Sequence, residues 1–344
     1  MSAYDILCIG AGPTGLACAI EATRAGMRPL IVDKGTICNS LYHYPQNMTF
    51  FTTPELLEIG DLPMTSCGEK PTRIEALKYY RKTAEFYGLE IRMFERVTAV
   101  TGHLGNFEVA TLSPEGAESR HRAQRIIIAT GYYDLPNEMR VPGERLSHVS
   151  HYYTEPFAYW RQQVVVIGGK NSAAIAALEL YRSGAAVTLV CRGSRLSSSI
   201  KYWIKPDIEN RVKAGQIVGL LDTAVTEITR DAVVVQTRDG QRNLPAKHVF
   251  ALTGYHPDYR FIESLGVHLD PITRKPTLDA QSFESNIAGI HLAGVVIGGR
   301  DTGEIFIENG RFHGKLIIDA LTGAAPRTGS GAVTGGSPGS GNVG

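Results

Sequence analysis

Cysteine is sparse in this chain and badly placed for redox pairing. There are five: Cys8, Cys18, Cys38, Cys67 and Cys191. None stands in a C-x-x-C pair, and none joins histidine at zinc-ligand spacing. That excludes a local dithiol relay and a sequence-evident zinc site. The odd number also argues against a secreted disulfide scaffold. Long apolar runs are missing too, so no segment is expected to span a bilayer. The opening "MSAYDILCIGAG" enters a strand at once, with no basic region and apolar stretch of a secretory signal. Excess charge of one sign is absent: Lys plus Arg number 35 and Asp plus Glu 34, for a net charge of +1. Neither nucleic acid nor an anionic membrane is favoured as a partner by such a balance. A cytoplasmic protein acting on small molecules is expected.

What is present begins with an internal repeat. "YDILCIGAGPTGLACAIEATRAGMRPLIVDK" and "QQVVVIGGKNSAAIAALELYRSGAAVTLVCR" share one layout. Each runs apolar strand, glycine turn, helix ended by Gly26 or Gly184, and a second apolar strand. Gly10 precedes Asp33 by the spacing that separates Gly168 from Cys191. Uninterrupted apolar strands alternating with helices indicate parallel sheets covered on both faces. A second repeated pair, "RIIIATGYY" and "HVFALTGYHP", closes each half. "NFEVATL" and "DAVVVQT" read as strands of small β-meanders, and residues 304–323 as one helix. The fold class is therefore α/β, with two doubly wound Rossmann-like dinucleotide-binding domains. The expected division is an FAD-binding domain in two parts, 1–145 and 255–323, with an NADPH-binding domain, 146–254, inserted between them. Residues 324–344 are Gly/Ser/Pro/Thr-rich and are expected to be a disordered tail.

The glycine turns carry the chemistry. In "GAGPTG" Gly10 permits the tight turn, Gly12 the approach of a pyrophosphate, and Gly15 close packing of helix on strand. Pro13 and Thr14 open the helix, whose N-terminal amides face an anion. Asp33, followed by Lys34, stands where a carboxylate accepts ribose hydroxyls. In the second turn, Gly168, Gly169, Lys170, Asn171, Ser172 and Ala173 take the corresponding places. Lys170 replaces the middle glycine and Cys191 replaces the acid. Arg192 follows, with Arg195 and Lys201 close by. A 2′-phosphate would be repelled by a carboxylate and paired by a guanidinium, so NADPH is expected over NADH. The alternative is a solvated basic loop. FAD in the first unit and NADPH in the second make a flavin oxidoreductase.

In this order, "GAGPTG", "ATGYY", "GGKNSA" and the late "AGV" resemble the two-dinucleotide-domain flavoproteins of the thioredoxin-reductase type. Within that group, "YHYPQNMTFFTTPELLEIGDLP", "GGKNSA", "TGYHPDY" and "IFIENGRFHG" are similar to the bacillithiol-disulfide reductase family. The resemblance covers nearly all of residues 3–322. It implies an FAD-containing, NADPH-dependent reductase of a low-molecular-weight disulfide, working as a homo-oligomer. It places Tyr42 near the flavin and points the segment from Ile305 and Phe306 at the flavin ring. Thr130, Gly131, Gly254 and Tyr255 end strands at the ligand edge of their sheets.

Departures from the wider group are visible. The stretch "VSHYYTEPFAYWRQQ" lacks the C-x-x-C of thioredoxin reductases. Gly294 is followed by Val295, not by the acid that holds the ribityl chain, leaving Asp301 as a substitute. Thr14 stands where many closer relatives have cysteine. Cys38, after the second strand, could approach the flavin side, but no cysteine earns a catalytic assignment. Glu308, Asn309 and His313 are either proton-handling or structural groups. Two other functions fit the same pattern: a ferredoxin or flavodoxin NADP reductase, and a redox-sensing flavoprotein without turnover. A flavin monooxygenase fits poorly, because "VPGERLSHV" lacks the F-x-G-x-x-x-H signature.

Overall fold

The computed structural model describes residues 3–323. The expected tail at 324–344 lies outside them. The first repeat unit runs β1 (Tyr4–Ile9), α1 (Pro13–Arg24) and β2 (Pro29–Val32). Ile6, Leu7 and Cys8 are wholly buried, which is why β1 is apolar at successive positions and not at alternate ones. A one-turn helix, α2 (Asn39–Tyr42), and a 14-residue helix, α3 (Arg73–Phe86), follow. A capping box starts α3: Glu75 N–H donates to Thr72 Oγ1, and Thr72 N–H to the Glu75 carboxylate. Then come β3 (Ile91–Arg92), β4 (Arg96–His103), β5 (Asn106–Leu112) and the long β6 (Glu118–Ile128).

β6 explains the shape of the first sheet. Its outer half pairs antiparallel with β5. Its inner half pairs parallel with β1 and, on the other side, with a strand from the far end of the chain. The β4–β5–β6 meander is thus continuous with the main seven-stranded sheet and is not a separate one.

The chain crosses to the second unit through β7 (Leu135–Pro136), and β8 (Val149–Ser150) is the edge strand of that unit's parallel sheet. Met139 and Val141 pack on the second unit's core, so the crossing precedes them. The second unit holds β9 (Gln163–Ile167), α4 (Asn171–Arg182), β10 (Ala186–Val190), α5 (Lys205–Lys213) and β11 (Val218–Leu220). A three-stranded antiparallel sheet, β12 (Ala224–Ile228), β13 (Ala232–Thr237) and β14 (Gly240–Pro245), precedes β15 (His248–Ala251). The parallel order is β11-β10-β9-β15-β8. Ala173, Ala174, Ala176 and Ala177 form the buried face of α4, and small side chains let the helix lie close on the sheet.

The return strand β16 (Tyr255–His256) pairs antiparallel with β7, with Tyr255 opposite Pro136. These two strands are the double crossing between the units. After α6 (Tyr259–Ser264), strand β17 (Ile290–Leu292) joins β6 and completes the first sheet. The expected single terminal helix is split into α7 (Ile307–Gly310) and α8 (His313–Thr322). α8 packs on α1 so tightly that a Cβ at Gly314 would overlap the Cys18 backbone. Among the described residues no helix is long and apolar enough to cross a membrane.

Candidate functional site

Both glycine turns sit at the carboxyl ends of their parallel strands, where open α/β sheets bind ligands. In the first, Gly10 has φ +113° and lies against the Ala129 carbonyl, and Gly15 lies against the Gly10 carbonyl. Neither position admits a side chain. Gly12 differs, since a Cβ there would meet nothing within 4 Å. Its missing side chain leaves a cradle beside the N-terminus of α1.

The acid of the first unit is tied to the turn itself. Asp33 Oδ2 accepts from Ala11 N–H at 2.7 Å and Oδ1 from Gly35 N–H at 2.8 Å. Burial raises its pKa, and the two amide donors oppose that shift. Each carboxylate oxygen keeps a further lone pair for a ribose hydroxyl. Lys34 is exposed and pairs with Asp134 at 2.8 Å. At the end of β6, Thr130 Oγ1 is buried with no hydrogen-bond partner, and Gly131 (φ +70°) opens onto space within 4 Å. A buried hydroxyl without a partner is costly unless a ligand completes it. The cradle at Gly12 and the orphaned hydroxyl of Thr130 together fit a dinucleotide such as FAD.

The opposite wall is the turn after β17. Gly294 has φ +81°, and a Cβ there would lie 2.9 Å from Thr14 Oγ1. A Cβ at Gly310 would lie 3.3 Å from the same oxygen. The Gly294 amide donates to His313 Nδ1 at 3.0 Å. Ile305 is partly buried and packs near Gly310, while Phe306 is exposed. Asp301 is exposed and accepts from Gly303 N–H in its own loop. Tyr42 is also exposed, with the Arg73 guanidinium 5.7 Å from its ring.

The second turn repeats the geometry with different chemistry. Gly168 (φ +151°) lies against the Leu252 carbonyl and Ala173. Gly169 occupies the place of Ala11, and a Cβ on it would lie 2.5 Å from Cys191 Sγ. A carboxylate receives the turn's amide in the first unit, whereas a sulfur fills that space in the second. Lys170 caps α4 with extended backbone and an exposed side chain. Ser172 is exposed beside it. Asn171 fastens the basic loop to the helix start: its Nδ2 donates to Ser199 O at 3.1 Å, and its Oδ1 accepts from Lys201 N–H at 3.0 Å.

Among the described residues Lys170, Arg192 and Arg195 are exposed and have no carboxylate partner. Three unpaired cations around one helix start fit the phosphates of NADPH. Lys201 is directed elsewhere. Its ammonium lies 5.4 Å from the Phe51 ring of the first unit. Phe51 also meets Trp203 edge-on at 5.9 Å, and Lys70 lies 4.0 Å from the Trp203 ring. This clasp between the units has no sequence signature, because its members are far apart in the chain.

Gly254 and Tyr255 belong by contact to the crossing. Asn137 N–H donates to Gly254 O in the backbone, and Tyr255 Oη donates to His151 O at 2.7 Å. The Tyr255 ring stacks on Tyr152 at 5.4 Å and lies 4.4 Å from Tyr133. Burial pushes its phenol up to about 12.

Four of the five cysteines are buried. Cys38 is 1% exposed, and burial lifts its thiol well above the usual range. Burial disfavours the thiolate, which is the reactive form. Cys8, pushed up to about 12, and Cys18 are wholly buried. Cys67 alone is exposed, and none is in a disulfide.

Known proteins share this fold. The family model described as pyridine nucleotide-disulphide oxidoreductase matches residues 7–294. A Bacillus subtilis (strain 168) protein named bacilliredoxin reductase Bdr is 44% identical over 312 residues, 90% of this chain and 94% of that one. The structure of a Bacillus cereus bacillithiol disulfide reductase superposes with a TM-score of 0.91 at 42% identity, covering 94% of this chain and 100% of that one. The Staphylococcus aureus counterpart gives 0.89 at 38% identity, covering 94% and 99%.

Proposed function

Because the chain belongs to the pyridine nucleotide-disulphide oxidoreductase family, we propose that it uses NADPH and FAD to reduce a low-molecular-weight disulfide, bacillithiol disulfide first among them. It is an FAD- and NADPH-dependent oxidoreductase. The observation that carries the substrate class is the duplicated turn combined with the absence of a usable cysteine pair. One turn offers a cradle and an orphaned hydroxyl, the other three unpaired cations, and no dithiol stands between them.

When bound, FAD supplies the two-electron chemistry that links nicotinamide to disulfide. The chain's own residues bind and orient. Gly10, Gly12, Pro13, Thr14 and Gly15 present the α1 N-terminus to the flavin pyrophosphate. Asp33 offers its remaining lone pairs to the ribose, and Thr130 Oγ1 and the open face at Gly131 meet the cofactor at the strand edge. Ile305 and Phe306 lead into α7 beside the flavin. Gly168, Gly169, Lys170, Asn171, Ser172 and Ala173 shape the NADPH turn, with Arg192 and Arg195 on the 2′-phosphate. Lys201 and Tyr255 act at the contacts between the units.

Without a cysteine pair, the acceptor would be reduced at the flavin itself, through a single cysteine, or by a carrier. We further propose a homo-oligomeric protein of the cytoplasm. The test is NADPH oxidation by the yellow, FAD-containing protein with bacillithiol disulfide, glutathione disulfide, coenzyme A disulfide, bacilliredoxin, thioredoxin and ferredoxin. Turnover on a small disulfide without any protein thiol supports the reading. Turnover only on ferredoxin, or on none, refutes it.

A further inference from the structure

One buried imidazole bonds to the backbone of a wall of the site. His313 opens α8, is 8% exposed and lies at the back of the turn formed by Gly294 and Val295. Its Nδ1 accepts from Gly294 N–H at 3.0 Å, in a buried bond. An imidazole accepting at Nδ1 is neutral, with its proton on Nε2. Burial drives the same way and lowers the His313 pKa to about 4. The ring is held from one side by Phe283, stacked at 4.5 Å with an interplanar angle of 18°. Phe283 itself has φ +53°, a left-handed conformation unusual for a bulky residue. The Leu292 amide of β17 donates to Phe283 O, which ties the support to the same strand.

The front of this turn is crowded by Thr14 of the first glycine turn. Gly294 and Gly310 both face Thr14 Oγ1, and a Cβ would lie 2.9 Å from it at Gly294 and 3.3 Å at Gly310. The turn is therefore fixed between the α1 N-terminus in front and the imidazole behind. Val295 has no polar side chain to offer a ligand. What the turn presents to a cofactor is its backbone, and the direction of that backbone depends on the Gly294 amide. We infer that His313, held by Phe283, is a positioning residue that sets the Gly294–Gly298 backbone against the α1 N-terminus and so sets the affinity for FAD. This rests on the reading that FAD lies in the cradle at Gly12.

The experiment compares His313→Leu with His313→Asn. Asparagine can place an amide oxygen near the Nδ1 position, whereas leucine leaves the Gly294 N–H buried without an acceptor. FAD is removed and its rebinding to folded apoprotein is titrated by flavin fluorescence. Loss of a buried acceptor is expected to weaken FAD by about tenfold in His313→Leu. His313→Asn is expected to stay within about threefold of the parent. Equal losses in both variants, or parent-like affinity in His313→Leu, overturn the inference. If His313→Leu does not fold, Phe283→Leu carries the test. Removing the ring support is expected to weaken FAD by about threefold, and unchanged affinity overturns the inference. Parent protein that neither contains nor rebinds FAD refutes the cofactor reading instead.

Discussion

Replacing Gly169 with alanine would put a methyl carbon 2.5 Å from Cys191 Sγ. Carbon and sulfur do not approach that closely, so the backbone or the sulfur must move. Overpacking of this kind costs about 1–3 kcal/mol in a well-packed core. The next atom in range is Cys191 Cβ at 3.8 Å, an ordinary contact. The clash is therefore with one atom, and Cys191→Ala removes it. Alone, Cys191→Ala loses one buried sulfur and costs about 1 kcal/mol. The double variant should then cost no more than Cys191→Ala, giving a favourable coupling of about 1–3 kcal/mol. Both tryptophans, Trp160 and Trp203, lie in the second unit, so their fluorescence during urea unfolding reports the affected half. Single-variant costs that simply add would refute the packing argument. So would a Gly169→Ala protein as stable as the parent. The result bears on function because Gly169 is in the NADPH turn. The single variant should also raise KM for NADPH, and the double variant should recover it.

Other outcomes follow from the site. Arg192→Ala should raise KM for NADPH by about 10–100-fold, the effect of a lost charge-assisted phosphate bond, with little change for NADH; equal effects in steady-state assays would remove Arg192 from the 2′-phosphate. Thr130→Val should weaken FAD by about fivefold while leaving apoprotein melting unchanged or higher, because Oγ1 has no protein partner to lose. A fall in apoprotein stability would show that the hydroxyl has a structural role. His313 is neutral in the fold with its pKa lowered to about 4, while the unfolded chain binds the proton near 6.5. Its contribution is complete above pH ~6.5 and is lost as pH falls toward about 4, an effect of up to ~3 kcal/mol. Melting curves of the parent and His313→Asn should therefore converge across that window. A gap that stays constant with pH would contradict the buried neutral state. Thiol titration of native protein should label Cys67 fast and the others slowly, and Cys67→Ser should leave NADPH oxidation intact. Loss of turnover would place a cysteine in the electron path.

The strand–turn–helix–strand repeat was legible in the sequence because its physics is local. Strands buried on both faces must be apolar at every position, as at Ile6, Leu7 and Cys8. A tight turn under a helix must lack side chains, as at Gly10, Gly15 and Gly168. Those two demands marked both ligand edges, and the missing acid at Cys191 separated the second from the first. The absent C-x-x-C likewise left no dithiol to invoke.

Contacts between distant segments settled the rest. β6 is long enough to serve two sheet halves, so the β4–β5 meander joins the main sheet, which strand periodicity alone does not reveal. Gly169 looks like a pyrophosphate glycine, yet its lack of a side chain is set by the sulfur of Cys191, just past β10. Lys201 reads as a phosphate ligand until Phe51 is seen beneath it. Tyr255 stands at a ligand edge by sequence and in a cluster of tyrosines at the crossing by packing. His313 and Phe283 lie 30 residues apart by their numbering and meet only because α8 folds back on α1 beside β17. Sequence alone determined what each turn could bind. Tertiary structure decided which side chains were left unpaired to bind it, since a hydrogen bond or packing contact with a distant segment removes a group from that role.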